Sequence, residues 1–171
     1  MSLFKATRYV ASVPLIDLDE LVEKGVRCIL IDRDNTLVPR DTKVAPRECV
    51  EWLDRARGLG IKVCIVSNNF HGDQVAASAR ELGVDKVDHA MKPAPFALWH
   101  AMRLMGVAPE ECVMVGDQVF TDLGAGNLAG CATVLVRPQS RVDLFYTQLF
   151  RVFENLALRG VTFEGEDGPS K

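Results

Sequence analysis

Two carboxylates stand two residues apart in Asp32-Arg33-Asp34-Asn35-Thr36-Leu37, directly after the apolar run Cys28-Ile-Leu-Ile31. A carboxylate needs no deprotonation at neutral pH, so it can accept a phosphoryl group once a divalent cation lines it up against phosphorus. A second carboxyl nearby can then carry protons. The same pair also suits an acidic turn at a strand end, because Asp and Asn side chains hydrogen-bond their own backbone. By itself it leaves both readings open. A second acidic pair, Asp117 and Asp122, follows the run Cys112-Val-Met-Val115 and Gly116. Between the two pairs lie Ser67-Asn68-Asn69, after Val63-Cys-Ile-Val66, and Lys92 ahead of Pro93. Taken singly, the Ser-Asn-Asn stretch reads as a turn and Lys92 as a solvated lysine. In chain order, however, four strand ends offer Asp/Asp, Ser, Lys and Asp/Asp.

Aliphatic and β-branched runs alternate with helical patterns, and the alternation predicts where those strand ends sit. The expected elements are a strand over Arg27–Asp32, a helix over Pro46–Gly58, a strand over Ile61–Ser67 and a helix over Gly72–Leu82. A short strand near Val87–Ala90, a helix over Pro95–Met105, a strand over Cys112–Gly116, a helix around Thr121–Ala129 and a strand over Thr133–Val136 follow. Such alternation is the signature of βαβ units, giving an α/β fold with one doubly wound, Rossmann-like, mainly parallel sheet. Pro46 suits a first helical turn, and Gly58, Gly60, Gly83 and Gly106 fall where helices should stop. Ligands of open α/β sheets bind at the C-terminal edge of the strands, where the polar groups above accumulate.

The chain has 171 residues, 48% hydrophobic and 25% charged. That is the composition of one domain, expected over 1–171 with its core at about 26–160, and such a domain buries roughly 70% of its unfolded surface without needing disulfides. No repeat or linker divides it; the ends, Met1–Ser12 and Glu164–Lys171, are expected to be loosely held or disordered. A formal charge of −3 argues against a nucleic-acid partner recognised by a broad basic surface. Five cysteines lie far apart, mostly within apolar runs, in no zinc or redox spacing, and read as reduced core thiols. The sequence shows neither the apolar core of a signal peptide nor a membrane span, so the expected compartment is the cytoplasm.

The order of the four polar strand ends resembles the motifs of the haloacid dehalogenase-like hydrolase superfamily, whose members are mostly phosphatases working through an aspartyl-phosphate. The resemblance covers about Arg27 to Arg137. It implies that Asp32 is the nucleophile and Asp34 the general acid and later base. It implies Mg²⁺ held by Asp32, the backbone carbonyl of Asp34 and Asp117, with Asp122 as a further or outer ligand. Ser67, Asn68 and Lys92 would bind the phosphoryl oxygens, with Thr36 supporting the loop. Relatives that keep a long-lived aspartyl-phosphate, such as ion-pumping ATPases, lack a carboxylate at the Asp34 position, so its presence implies hydrolysis. Arg33 departs from the apolar residue common between the two aspartates; its guanidinium either points away or meets the substrate.

Thr36 to Ser67 and Ser67 to Lys92 leave no room for a sizeable cap, which implies an open site suited to a bulky substrate or closed by a second subunit of a homo-oligomer. The Asp-x-Asp-Asn-Thr-Leu-Val start, the segment Val10–Gly25 and Gly-Asp-Gln-x-x-Thr-Asp look like subfamily IIIA, the capless bacterial relatives of mitochondrial phosphatidylglycerophosphatase. That implies a lipid-linked or other phosphomonoester as the phosphorylated substrate. A non-enzymatic phosphoacceptor or binding domain on the same fold is the alternative, although it needs neither Asp34 and Ser67 nor the Asp117/Asp122 pair. The segment Val142–Leu158 carries an apolar stripe at helical spacing, accompanied by Arg137, Arg141, Arg151 and Arg159. Three roles stay open for it: packing on the sheet, peripheral contact with the inner membrane surface, or a dimer contact.

Overall fold

Alternate residues of a strand point to opposite faces of its sheet, so a strand covered by helices on both faces must be apolar throughout. In the computed structural model, which describes residues 3–140 and 158–166, the continuous apolar runs are such strands. Among the described residues the six strands are β1 (Arg8–Val10), β2 (Cys28–Ile31), β3 (Lys62–Val66), β4 (Asp85–Val87), β5 (Cys112–Gly116) and β6 (Ala132–Val136). They form one sheet in the spatial order β1-β6-β5-β2-β3-β4, with every neighbouring pair parallel. The helices are α1 (Leu18–Glu23), α2 (Arg47–Gly58), α3 (Gly72–Leu82), α4 (Phe96–Met105) and α5 (Gly124–Ala129).

The two faces of β2 separate the core into two layers. Ile29 and Ile31 pack with Val63, Ile65, Val113 and Val115 against α1, α2 and α3, through Leu18, Leu53 and Val75 among others. Cys28 and Leu30 pack with Cys64, Val66, Cys112 and Met114 against α4 and α5, through Leu98, Met102 and Ala125. Each buried Leu or Ile side chain here contributes about 1.5–3 kcal/mol relative to exposure. On the second face α5 comes in close: a Cβ on Gly126 would lie 2.6 Å from Thr133 Cγ2 and 2.9 Å from Met114 Cβ. Asp17 starts α1 by accepting the N–H groups of Asp19 and Glu20. Between β2 and β3 lies only α2 with its loops, and between β3 and β4 only α3, so neither interval carries a cap. All five cysteines are buried free thiols.

The structure corrects the expected boundaries at two places. The short edge strand spans Asp85–Val87 rather than Val87–Ala90, because its register with Cys64–Val66 ends there and the Ala90 N–H turns instead to the Ser67 carbonyl. The helix expected from Thr121 is in two pieces: a wide turn over Val119–Leu123, in which both Asp122 and Leu123 donate to the Gln118 carbonyl, and then α5. Of the two end segments, the described parts are tied to the sheet: Arg8–Val10 form β1, and Glu164 docks beside it, while residues 1–2 and 167–171 lie outside the described residues. Ala11 donates to the Glu164 carbonyl and Glu164 to the Tyr9 carbonyl, at 2.8 and 2.9 Å. Arg8 Nε reaches the Glu164 carboxylate at 3.1 Å, and Arg137 pairs with Glu166 while covering the Phe163 ring at 3.7 Å. Arg137 is therefore occupied by the chain itself. Apart from Leu158, the segment Val142–Leu158 with its apolar stripe lies outside the described residues. Among the described residues no helix is long and apolar enough to cross a membrane.

Candidate active site

Central strands place their C-terminal ends side by side, and here the apolar runs of β2 and β5 both give way to aspartates. The Asp32 N–H donates to the Val115 carbonyl at 2.9 Å, carrying the ladder one residue past β2 and fixing Asp32 beside the end of β5. Asp117 follows Gly116 directly. Asp122 folds back through the wide turn, and its Oδ2 accepts the Gln118 N–H at 3.0 Å. That approach requires glycine at 116, since a Cβ there would sit 2.2 Å from Asp122 Oδ2. Asp32, Asp117 and Asp122 are 7%, 3% and 1% exposed, and they present carboxylate oxygens all within 4.8 Å of one another.

Carboxylates that close repel by about 3–4 kcal/mol per pair at an effective dielectric near 20, so the cluster needs a cation. Lys92 supplies one. Its Nζ lies 2.7 Å from Asp32 Oδ1, 2.7 Å from the Val66 carbonyl and 2.8 Å from Asp122 Oδ1. The contact with Asp122 pairs the ammonium with a second buried carboxylate oxygen. Burial pushes the Asp32 carboxyl up to about 6, helped by the Asp122 and Asp34 charges and opposed by Lys92. Burial would lower the Lys92 ammonium, but Asp122 and Asp32 outweigh it and hold it above its ordinary value.

Three buried carboxylates whose oxygens lie within 4.8 Å of one another fit a hard divalent cation with oxygen ligands, such as Mg²⁺. Asp34, also expected near the metal, keeps its carboxylate outside this trio. Its Oδ1 accepts from Arg33 Nη1, and its Oδ2 accepts from Asn69 Nδ2 at 3.2 Å and faces Arg40 Nη2 at 3.7 Å. Arg33 is buried and donates from Nε to Ser78 Oγ of α3 at 2.8 Å, so its guanidinium runs along the α3 side of Asp34.

The remaining expected residues surround this centre. Thr36 Oγ1 donates to Asp117 Oδ1 at 3.2 Å. Buried Ser67 stands at the end of β3, where its Oγ accepts the Asn69 N–H at 3.1 Å. Asn68 grips the Lys92 backbone with both ends of its amide: Oδ1 accepts the Lys92 N–H at 2.7 Å and Nδ2 donates to the Lys92 carbonyl at 3.0 Å. The loop after Asp34 turns on Asn35, whose left-handed φ of 62° is one Asn tolerates better than most residues. Asn35 Oδ1 accepts from the Arg40 N–H at 3.1 Å and from Ser140 Oγ at 2.7 Å, and the Gln139 N–H donates to the Asn35 carbonyl at 2.9 Å. Sequence pattern offers no signal for Arg40, Ser78, Gln139 or Ser140 at this site. Asn69 carries the weak signal of adjoining Ser67.

Residues 19–130 match the family of haloacid dehalogenase-like hydrolases. The chain is 36% identical over 162 residues to the Bacillus subtilis protein named probable phosphatase YqeG, covering 95% of this chain and 94% of that one. It is 30% identical over 148 residues to the chloroplastic/mitochondrial phosphatidylglycerophosphate phosphatase 1 of Arabidopsis thaliana, covering 78% of this chain and 41% of that longer protein. The fold is shared with the cobalt-bound deoxy-D-mannose-octulosonate 8-phosphate phosphatase (YrbI) of Haemophilus influenzae, at a TM-score of 0.54 and 14% identity over 80% of this chain and 89% of that one. The extent of these matches shows that this chain belongs to the haloacid dehalogenase-like hydrolases and is a phosphatase among them.

Proposed function

We propose that the enzyme hydrolyses phosphomonoesters with Mg²⁺ through an aspartyl-phosphate on Asp32. The observation that carries the reading is Lys92 Nζ lying between Asp32 and Asp122, within a trio of buried carboxylates. An Asp32 oxygen attacks phosphorus in line with the ester oxygen, forming one P–O bond as the other breaks. Asp34 gives its proton to the departing alkoxide. It then takes a proton from water, whose oxygen attacks phosphorus and frees both Asp32 and inorganic phosphate. Ser67 and Lys92 hold the phosphoryl oxygens, and Asn68 keeps Lys92 aimed at them. Asp32, Asp117, Asp122 and the backbone carbonyl of Asp34 would hold Mg²⁺, which supplies charge neutralisation at the phosphoryl oxygens.

Phosphate release from p-nitrophenyl phosphate, with Mg²⁺ and with a chelator, tests this reading. Turnover unaffected by chelation would remove the metal. Labelling without turnover would favour the phosphoacceptor alternative.

The substrate class follows as part of the same proposal: a bulky phosphomonoester, of which a phosphatidylglycerophosphate is one example. Support comes from the absence of a cap among the described residues and from exposed Phe70, Met91 and Phe96 beside the loops that carry Asn68 and Lys92. A screen of phosphorylated metabolites and lipids decides the class. Peripheral membrane contact through 142–158 belongs to the same proposal. Its test is sedimentation with anionic vesicles, which should weaken at high salt.

A further inference from the structure

Two arginines flank Asp34, and they differ in how fully they are used. Arg33 spends Nε on Ser78 and Nη1 on Asp34. Arg40 has an 18% exposed side chain, and among the described residues its guanidinium makes one ion contact, from Nη2 to Asp34 Oδ2 at 3.7 Å, beyond hydrogen-bond reach. Among the described residues its buried Nε has no partner. A guanidinium carries five donors in a rigid fork, so Arg40 keeps capacity for an oxyanion, and a buried donor left unmatched is costly. Asp34 meets this guanidinium only at ion-contact distance, while its hydrogen bonds come from Arg33 and Asn69. Arg40 does not sit on a free loop: its backbone N–H is tied to Asn35, which Ser140 and Gln139 hold in turn.

Position gives the unused donors a meaning. If Asp34 protonates the leaving oxygen, a cation beside Asp34 faces the leaving part of the substrate, whereas Lys92 faces the transferred phosphoryl group. We propose that Arg40 binds a second anionic group on the leaving part of the substrate, so that the preferred phosphomonoesters carry a phosphodiester or carboxylate a few bonds from the ester oxygen. The geometry of the fork suits either oxyanion. This inference rests on the phosphatase reading in one respect only, the role given to Asp34.

The test compares kcat/KM for three soluble probes: glycerol 3-phosphate, 3-phosphoglycerate, and deacylated phosphatidylglycerophosphate. The first has a neutral leaving part, the second adds a carboxylate and the third a phosphodiester; none has an acyl chain. The wild-type enzyme should prefer one or both anionic probes by about 10–100-fold, the range of a charge-assisted hydrogen bond. Arg40→Gln should bring that ratio close to one, mainly through KM, and Arg40→Lys should keep part of it. The tie to Asn35 uses the Arg40 backbone, so both variants retain it. Calorimetry on an Asp32→Asn background reads the same preference as affinity, independently of turnover. No preference in the wild type, or a preference that survives Arg40→Gln, overturns the proposal while leaving the phosphatase intact. Arg40-dependent affinity without turnover of any probe would instead overturn the mechanism and keep the subsite.

Discussion

β2 and β5 run side by side in register, from Cys28 opposite Cys112 to Ile31 opposite Val115. At the starting end, Cys28, Cys64, Cys112 and Cys131 share one apolar layer with α4 and α5. Burial pushes the Cys64 thiol up to about 12, and Cys112 Sγ rests 3.3 Å from the Ala108 carbonyl. At the finishing end, about four residues on, the same strands deliver Asp32 and Asp117 into equally deep burial, but among charges. Packing satisfies one end and ion contacts satisfy the other. The comparison teaches that burial depth alone says nothing about role. What differs is the chemistry of the neighbours: at the finishing end three carboxylates crowd around the single Lys92 ammonium.

If the two ends divide labour in this way, substitutions should separate activity from stability. The largest effect belongs to Asp32→Asn, which removes the nucleophile and should lower kcat/KM by about 10⁴-fold or more; an active variant would erase the distinction between the ends. Asp34→Asn should follow, at about 10²–10⁴-fold, because both steps lose their proton carrier. Lys92→Ala should raise KM and lower kcat together, and it should also cost about 3–5 kcal/mol of stability by leaving buried carboxylates unpaired. Denaturant melts alongside kinetics resolve the two effects. An unaltered Lys92→Ala variant would reduce the lysine to a bystander.

The next effect depends on pH. The Asp32 carboxyl goes from 3.8 when exposed to about 6 in the folded chain, so the folded state holds more protons between those values and its stability falls as pH rises through that window. Without metal the loss amounts to about 3 kcal/mol at most for this group. Mg²⁺ should restore it, so the metal-induced rise in Tm should be greater at pH 7 than at pH 5. An equal rise at both pH values would show that Asp32 is not coupled to the metal. The smallest effect lies at the other end: Cys112→Ala should cost roughly 1–2 kcal/mol in denaturant melts and leave kcat/KM unchanged. A changed rate there would break the comparison.

The strand ends were legible in the sequence because apolar runs buried on both faces break abruptly into Asp32, Ser67 and Asp117. Helices α2, α3 and α4 were legible from periodicity and from Gly83 and Gly106, which take the left-handed φ that ends α3 and α4. Edge elements were not. β4 exposes Asp85 and shows no alternation, and β1 is three residues whose partner β6 lies more than a hundred positions away. At the site, types and order pointed to Asp32, Ser67, Lys92 and Asp117. Nothing local could reveal that Ser78 on α3 receives Arg33, or that Asn68 grips the Lys92 backbone. Those contacts are made by folding, between residues with ordinary surface composition.

The docking of Glu164 against β1 has a consequence for how the sheet meets other chains. A bare edge strand offers a row of unpaired N–H and C=O groups to any extended peptide, and so invites strand addition and edge-to-edge aggregation. Here the Tyr9 carbonyl and Ala11 N–H on that edge are both taken by Glu164. At the opposite edge β4 is only three residues long and carries Asp85 and Lys86. The sheet is thereby blunted at both margins. An extended segment approaching it finds one row of hydrogen-bonding groups already occupied and the other too short and charged to propagate a ladder.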